Sequence, residues 1–532
     1  MKRWNGWGDI ATIYPLPPPA LDYLDEQLGV LHPGVEATLQ DILPAVPPSR
    51  LPLHPGVDVR PETRLRYARG QSLPDWVALR SGRIPVFPDG VAFPESDEEV
   101  CTFMDFARQA GARLIPYGGG TSVVGHINPP VGQKPVLTLS LERLNRLLDL
   151  DETSCLATFE AGVPGPHLEA QLKARGYTLG HFPQSFEFST LGGWIATRSS
   201  GQQSYYYGRI EDLFAGGRLE TPRGRLELPG FPASAAGPDL RHIVLGSEGR
   251  LGVITQAKLR VRRLPEVDEF YGVFFPSWEQ GTEATRSAAQ QDLPVSMLRF
   301  SNPLETETTL KLSGKSWIDL ADRGLRLVGY QDQRCLLIFG ATGSAAQVRR
   351  VKSEATSHFR RYGGLPVGRL VGRTWQKSRF LSPYLRNTLW ERGAAVDTLE
   401  TALPWAQVQA ASTAILQAIR EAAQVRNARV LAFAHLSHVY RDGASIYVTY
   451  LFHYKPDPEE LLDDWRSMKQ AASLTIQQHG GTISHQHGVG LDHAPYLPAE
   501  KGALGMEALQ TLCQVFDPDG MMNPGKLCAE TL

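Results

Sequence analysis

Long apolar runs are missing from this chain. No window of about 18 consecutive apolar residues occurs, and the mean hydropathy is −0.23, so a membrane-spanning helix is not expected. Cysteine is scarce as well: five among 532 residues. They are Cys101, Cys155, Cys335, Cys513 and Cys528, odd in number and never in CxxC spacing, which argues against a disulfide framework and a zinc ribbon and for a reducing, intracellular setting. Neither charge sign dominates. With 54 Lys+Arg against 56 Asp+Glu the formal net charge is −2, which gives no overall electrostatic reason for a nucleic-acid partner. The opening residues Met1 to Asp9 turn polar and glycine-bearing before any apolar stretch forms, unlike a secretory signal. A cytoplasmic location is expected; peripheral membrane association and a homodimer stay open.

What is present is core-forming material. With 42% hydrophobic and 9% aromatic residues, disorder is excluded, and the length allows roughly two to four domains. Prolines such as Pro15, Pro17, Pro18, Pro19, Pro47 and Pro48 punctuate residues 1–84, which read as an arm wrapping another part of the molecule. Strand and helix patterns alternate over 85–264. Ser96 followed by Glu99 reads as a capping box before Val100, Phe103, Met104 and Ala107 at helical spacing. A helix over His167 to Arg175 is closed by Gly176. That alternation reads as α+β or α/β. A second texture covers 265–480: strand-like 270–275, 336–339 and 446–450 flank helical runs at 277–291 and 405–425, as in a sheet-plus-helices substrate (cap) domain. Residues 481–532 form a turn-rich C-terminal helical segment that closes on the preceding parts.

The strongest local signal is Pro116-Tyr117-Gly118-Gly119-Gly120-Thr121-Ser122 directly after a strand. Its glycines let successive backbone N–H groups approach an anion such as a pyrophosphate. It is not a Rossmann fingerprint, which needs glycine at Val123, nor a Walker loop. Gly314-Lys315-Ser316 has Thr309 where that loop's first glycine belongs. Two more small, glycine-bearing, strand-flanked loops occur, at 183–193 and 246–255. Three such loops in one region point to a large phosphorylated cofactor.

Together with Thr197-Arg198-Ser199-Ser200-Gly201, these loops resemble the FAD-binding domain of the vanillyl-alcohol oxidase and p-cresol methylhydroxylase family. Within it, the chain resembles the alkyldihydroxyacetonephosphate synthase family over nearly its whole length. The matching stretches are Trp4-Asn5-Gly6-Trp7-Gly8, the run 186–195, Tyr207-Gly208-Arg209-Ile210-Glu211-Asp212, Thr221-Pro222-Arg223-Gly224 and His485-Gln486-His487-Gly488-Val489-Gly490. The resemblance implies an α+β architecture: a two-subdomain FAD-binding domain of the p-cresol methylhydroxylase type, a cap domain and a C-terminal segment. It also implies FAD contacts at Pro116, Tyr117, Gly118, Gly119, Gly120, Thr121 and Ser122; at Gln184, Ser185, Phe186, Glu187, Phe188, Ser189 and Thr190; at Thr197, Arg198, Ser199 and Ser200; and at Glu248, Gly249, Arg250, Leu251, Gly252, Val253 and Ile254.

On the substrate side it implies Arg299 and Arg386, two guanidiniums suited to a phosphate or a departing carboxylate. Tyr440 is the implied acid/base, with a pKa lowered by nearby positive charge, and His485 and His487 are the accompanying catalytic residues. The implied reaction exchanges the acyl group of acyl-dihydroxyacetone phosphate, a lipid-like phosphorylated substrate, for a long-chain alcohol. The family pattern has three consecutive histidines and then Gly-Val-Gly-Lys; here Gln486 and Leu491 depart from it, and glutamine cannot carry a proton. No metal is expected, because the His485–His487 pair and His493 lack partners at ligand spacing.

The rival readings are a flavin dehydrogenase of 2-hydroxy acids or of a phosphorylated polyol, and a non-enzymatic flavin scaffold. The first shares the closing Asn523-Pro524-Gly525-Lys526 but usually carries a His-x-Gly-Asp-Gly-Asn-x-His stretch, where this chain has Ala434-His435-Leu436-Ser437-His438-Val439-Tyr440. Covalent flavin linkage often uses a histidine beside the first glycine loop; residues 116–122 offer none, and His126 lies just beyond. FAD is therefore expected to be non-covalent. Acid precipitation should release all yellow colour to the supernatant; flavin left on the denatured chain would contradict this.

Overall fold

The computed structural model describes residues 2–34, 36–313 and 318–528, so the Gly314-Lys315-Ser316 stretch lies outside the described residues. Three larger sheets organise the chain, and the α+β expectation is met. The first has the order Val57–Asp58, Gly90–Ala92, Val136–Ser140, Arg113–Tyr117, with Val136–Ser140 parallel to both of its neighbours. That strand is buried along its whole length, as a parallel strand covered on both faces must be. The second sheet is antiparallel, in the order Leu147–Asp151, Leu156–Glu160, Val253–Arg260, Phe214–Thr221, Gly224–Leu228.

The third is a seven-stranded antiparallel sheet: Leu365–Gly368, Val267–Phe275, Cys335–Gly343, Met297–Ser301, Val430–Val439, Gly443–His453, Ala394–Pro404. Its strands show what period-two alternation does when both faces are covered. Leu298 and Phe300, Leu337 and Phe339, Ala432 and Ala434, and Ile446 and Val448 pack into one large core. The intervening Met297, Arg299 and Ser301, Leu336 and Ile338, Phe433 and His435, and Tyr447 and Thr449 line a cavity on the other face. The core face is closed by helices Trp405–Val425 and Pro458–Gln478. Val408, Ala411, Ile415 and Ile419 of the first, and Leu461, Trp465, Met468, Ala472 and Ile476 of the second, recur at helical spacing and enter that core.

Local signals locate several elements. Helix Asp97–Gln109 starts at Ser96, whose side chain accepts from Glu99 N; the carboxylate of Glu99 takes Glu95 N, so the expected reciprocal box is half made. Ser277 likewise caps helix Trp278–Gln290. Helix Gly165–Lys173 starts two residues earlier than the pattern suggested, and Gly176 beyond it has a φ of +78°.

The proline-rich amino-terminal arm lies against the seven-stranded sheet. Tyr23, Leu24 and Leu28 of helix Pro18–Leu28 pack with Leu431, Phe433 and Leu451. Trp7 is clamped by one side chain: Asn387 Oδ1 accepts Trp7 N at 3.1 Å, and Asn387 Nδ2 donates to Trp7 O at 2.9 Å. Replacing Asn387 by Ala leaves both buried backbone groups unpaired, at about 1–3 kcal/mol each. The urea midpoint of Asn387→Ala should fall with the slope unchanged; a midpoint equal to the parent's would show that the clamp contributes nothing.

Candidate active site and cofactor cavity

A cavity of about 1180 Å³ runs between the glycine-bearing loops and the inner face of the seven-stranded sheet. At one end lie Pro116 to Ser122, the loop that follows strand Arg113–Tyr117. The backbone N–H groups of Gly118, Gly119, Gly120 and Thr121 donate to no acceptor among the described residues. Four further polar atoms on the cavity wall, Thr190 Oγ1, Ser200 Oγ, Ser247 Oγ and Asn523 Oδ1, are buried without hydrogen-bond partners among the described residues. Buried polar groups are ordinarily paired, so these donors and acceptors fit a large polar occupant bearing phosphates.

Steric room tells the same story with one correction. A Cβ on Gly119 would stand 1.8 Å from Phe188 O, and one on Gly118 would stand 2.3 Å from Thr190 Oγ1. The obligation for glycine at 119 therefore comes from the close approach of the 184–190 loop, and not from an anion facing its α-carbon.

The residues implied as FAD contacts divide into two groups. Pro116 to Ser122, Gln184, Ser185, Ser189, Thr190, Thr197, Ser199, Ser200, Glu248, Gly249, Gly252 and Ile254 line the cavity. Seven others do different work in the structure. Phe186 stacks on Phe380, Phe188 meets Trp7 edge-on, and Glu187 accepts from the Tyr384 hydroxyl. Arg198 donates to Leu245 O and Arg250 to Met522 O, while Leu251 is core. Val253 is core too. Periodicity could not separate the groups, because loop residues follow no repeating face.

The turn after helix Pro458–Gln478 carries the candidate catalytic histidines. Every backbone N–H from 486 to 490 has an acceptor. Glu400 Oε1 takes Gln486 N and His487 N at 2.5 and 2.6 Å, Ser484 Oγ takes Gly488 N at 2.9 Å, and Glu248 takes Val489 N and Gly490 N at 2.5 and 2.9 Å. Gly488 adopts φ +85°, and a Cβ there would meet His126 Nε2 at 2.7 Å. His126 is itself held between Ser122 Oγ, at 2.8 Å, and Glu248 Oε1, at 3.1 Å. His493 donates through Nδ1 to Gly488 O, so its ring is a strut of this turn.

Tyr440 and His485 are brought together: the Tyr440 hydroxyl lies 2.6 Å from His485 Nε2. Arg209 Nη1 reaches both, at 3.2 Å from the Tyr440 oxygen and 2.9 Å from His485 Nε2, and its Nε pairs with Glu211. The pair sits immediately behind the cavity wall, where His438 stacks on His485 with ring centres 4.9 Å apart; His438, Gln486 and His487 are on the wall itself. The cation expected beside Tyr440 is present as Arg209. Burial nevertheless outweighs it, so the phenol pKa is raised and not lowered. Burial also lowers His485, His487 and His438 below the usual imidazole range. Glu400, fully buried, would be pushed up by burial; His487, His485 and the Gln486 N–H outweigh that and hold it well below the usual carboxylate range.

The two arginines differ. Arg299 faces the cavity with Nη2 on Glu305 at 2.8 Å, and Glu305 also holds His435 Nδ1 at 2.9 Å. Arg386 lies over the Trp76 ring at 4.3 Å and donates Nη1 to Gln71 O, while its Nε and Nη2 are buried and have no partner among the described residues. Burial lowers its pKa to about 10, so it stays cationic at neutral pH. Met297, Leu336, Ile338, Val396, Phe433 and Leu451 give the wall an apolar stretch, and Arg373, Lys377, Arg379 and Asp397 also line the cavity. Arg209, Glu400 and Glu305 were not singled out from the sequence. Arg209 stood inside a quoted motif, but nothing local marked the other two.

These features define a class: a flavoprotein with a substrate cavity built against an antiparallel sheet. A family described as FAD binding domain matches residues 88–228, and one described as FAD linked oxidases, C-terminal domain, matches 264–527. FAD is the cofactor of this chain. Among relatives, an alkyldihydroxyacetonephosphate synthase from Dictyostelium discoideum is 32% identical over 87% of this chain and 77% of its own length. A solved alkyldihydroxyacetonephosphate synthase superposes with a TM-score of 0.85 at 28% identity, covering 99% of both chains. A p-cresol methylhydroxylase structure shares the fold at a TM-score of 0.64 and 13% identity, with 96% of each chain covered. The chain belongs to the alkyldihydroxyacetonephosphate synthase family.

Gly119→Ala should lose flavin and stability together, because the new methyl forces the two cradle loops apart; overpacking of this kind costs about 1–3 kcal/mol. Flavin absorbance per chain and the thermal midpoint measure both. Full flavin content with an unchanged midpoint would refute the loop contact.

Proposed function

We propose that this chain exchanges the fatty acyl group of acyl-dihydroxyacetone phosphate for a long-chain alcohol, releasing the fatty acid and forming the ether. The observation that carries this reading is a single cavity holding three different surfaces: the cradle of free N–H groups, the unpaired edge of Arg386, and an apolar wall. A 2-hydroxy acid would use the first two and leave the third without purpose. FAD, held by the cradle and the orphaned hydroxyls of Thr190, Ser200 and Ser247, supplies when bound an electrophilic ring at which carbon substituents can be swapped without net redox change.

The chain's own residues do the rest. Arg386 offers two N–H groups to the anionic head of the substrate. Arg299, half neutralised by Glu305, presents a polar surface of little net charge beside it. Met297, Leu336, Ile338, Phe433 and Leu451 exclude water and receive the alkyl chain. Tyr440 takes the proton adjacent to the substrate carbonyl as its own proton passes to His485 Nε2, and the cation of Arg209 stabilises the phenolate character that develops between the two transfers. Gln486 places an amide on the wall where the family carries histidine; it can hydrogen-bond the substrate but leaves proton transfer to its neighbours. Residues 1–84, 85–264, 265–480 and 481–532 serve as arm, FAD-binding domain, cap and closing segment in this reading.

Under anaerobic conditions, palmitoyl-dihydroxyacetone phosphate and hexadecanol should yield hexadecyl-dihydroxyacetone phosphate and palmitate in equal amounts, with the flavin still oxidised at the end. D-lactate and glycolate should leave the flavin oxidised. Bleaching by a hydroxy acid with no ether formed would overturn the proposal. Tyr440→Phe should keep its flavin and lose a factor of about 10² to 10⁴ in turnover; unchanged turnover would reduce Tyr440 to packing.

A further inference from the structure

Glu400 has no role in the reaction as described so far, yet it is the most completely enclosed carboxylate at the site. It lies on strand Ala394–Pro404, opposite Tyr447, with none of its surface exposed. Its Oε1 accepts two backbone N–H groups of the histidine turn. Oε2 accepts none among the described residues, and it faces His485 Nδ1 at 3.8 Å, an atom likewise without a hydrogen-bond partner among them. His487 Nδ1 stands 3.7 Å from Oε1. Leaving both a buried carboxylate oxygen and a buried ring nitrogen unpaired is costly, and the two atoms face each other.

The other ring nitrogen settles which way the proton lies. Two donors converge on His485 Nε2: the Tyr440 hydroxyl at 2.6 Å and Arg209 Nη1 at 2.9 Å. A nitrogen met by two donors presents its lone pair, so in the neutral ring the hydrogen is on Nδ1, on the side of Glu400. We infer that Glu400 is a positioning residue for the exchange reaction: its carboxylate fixes the Nδ1–H tautomer of His485, holds Nε2 ready to take the proton of Tyr440, and stabilises the imidazolium that results. This rests on the proton path proposed above. Glu400 touches neither substrate nor cofactor and acts only through His485.

The balance is simple. One proton leaves the substrate carbon for the Tyr440 oxygen, one leaves that oxygen for His485 Nε2, and the ring gains a positive charge beside the carboxylate, as a buried orienting acid does in hydrolase triads. The charged or titratable groups facing His485 are Glu400, Arg209, Glu211, His438 and Tyr440. Arg209 disfavours the imidazolium, and Glu400 is the nearest group that favours it.

Two measurements test this on the flavin-loaded protein. In the parent protein labelled with ¹⁵N-histidine, the His485 resonance, identified by its loss in His485→Asn, should show the Nδ1–H tautomer; an Nε2–H tautomer would overturn the inference without any variant of Glu400. Glu400→Gln keeps an oxygen for the two backbone N–H groups but turns an N–H donor toward His485. It should flip the tautomer and lower kcat by about 10²-fold or more at unchanged KM. Without the carboxylate His485 protonates less readily, so the acid limb of the kcat profile should move to lower pH. A purely structural Glu400 would leave tautomer and pH profile unmoved, and that result, or a kcat equal to the parent's, would also overturn it. Absence of exchange in the parent protein would instead remove the proposed reaction, with the tautomer still deciding the Glu400–His485 geometry.

Discussion

Five successive backbone N–H groups, 486 to 490, must be satisfied in a turn that enters the protein interior between two sheets. A buried donor without an acceptor costs about as much as a lost hydrogen bond. The structure meets the demand with carboxylates from opposite sides: Glu400 from the seven-stranded sheet takes the first two, and Glu248 from the loop before strand Val253–Arg260 takes the last two. The histidine turn is thus tied at one end to the substrate wall and at the other to the glycine loops. Glu248 extends the tie further, since its backbone carbonyl receives Asn523 Nδ2 and its side chain meets His126. The position of His485 and His487 follows from that double anchorage.

The same economy shapes the cavity. Alternation along the strands sends every second residue to the core under helices Trp405–Val425 and Pro458–Gln478, and the rest to the cavity. Apolar residues on that second face belong to two smaller cores, Met297, Leu336 and Ile338 with Phe270 and Leu325, and Phe433 and Leu451 with Tyr23 and Leu24; where those cores reach the cavity they give it an apolar surface. Arg299 on that face is compensated by Glu305, which also meets His435, whereas Arg386, on helix Ser382–Glu391, keeps an edge without a partner among the described residues. A desolvated, incompletely paired guanidinium is expensive, and such a group invites an anionic partner.

How much of this could be read beforehand varied with the kind of signal. Helix Trp405–Val425 was legible to the residue because its apolar period is long and uninterrupted. The glycine loop after strand Arg113–Tyr117 was legible because two more glycine-bearing, strand-flanked loops, at 183–193 and 246–255, accompany it; three glycines alone make an ordinary turn as readily. What escaped were relations across the chain. Glu400 sits in a strand that also carries Asp397, Thr398 and Thr401, and nothing local distinguishes it; its importance comes from residues 86 and 87 positions away. The Tyr440 environment was half legible, since a cation was expected and Arg209 is there, but burial reverses the net effect. Gly119 was recognised for its smallness, but the contact with Phe188 O that demands it belongs to a loop some 70 residues on and could not be read beforehand.

The central claim is that one continuous cavity holds flavin, anionic head and alkyl chain together. Titrating the flavin-loaded protein with hexadecyl-dihydroxyacetone phosphate, the inert ether product, and reading the flavin absorbance band tests it directly. The account predicts a saturable spectral shift, absent with dihydroxyacetone phosphate at the same concentration and weakened at least about tenfold in Arg386→Met, as loss of a charge-assisted contact requires. A spectrum indifferent to the ether phosphate, or an affinity unaffected by Arg386→Met, would contradict it.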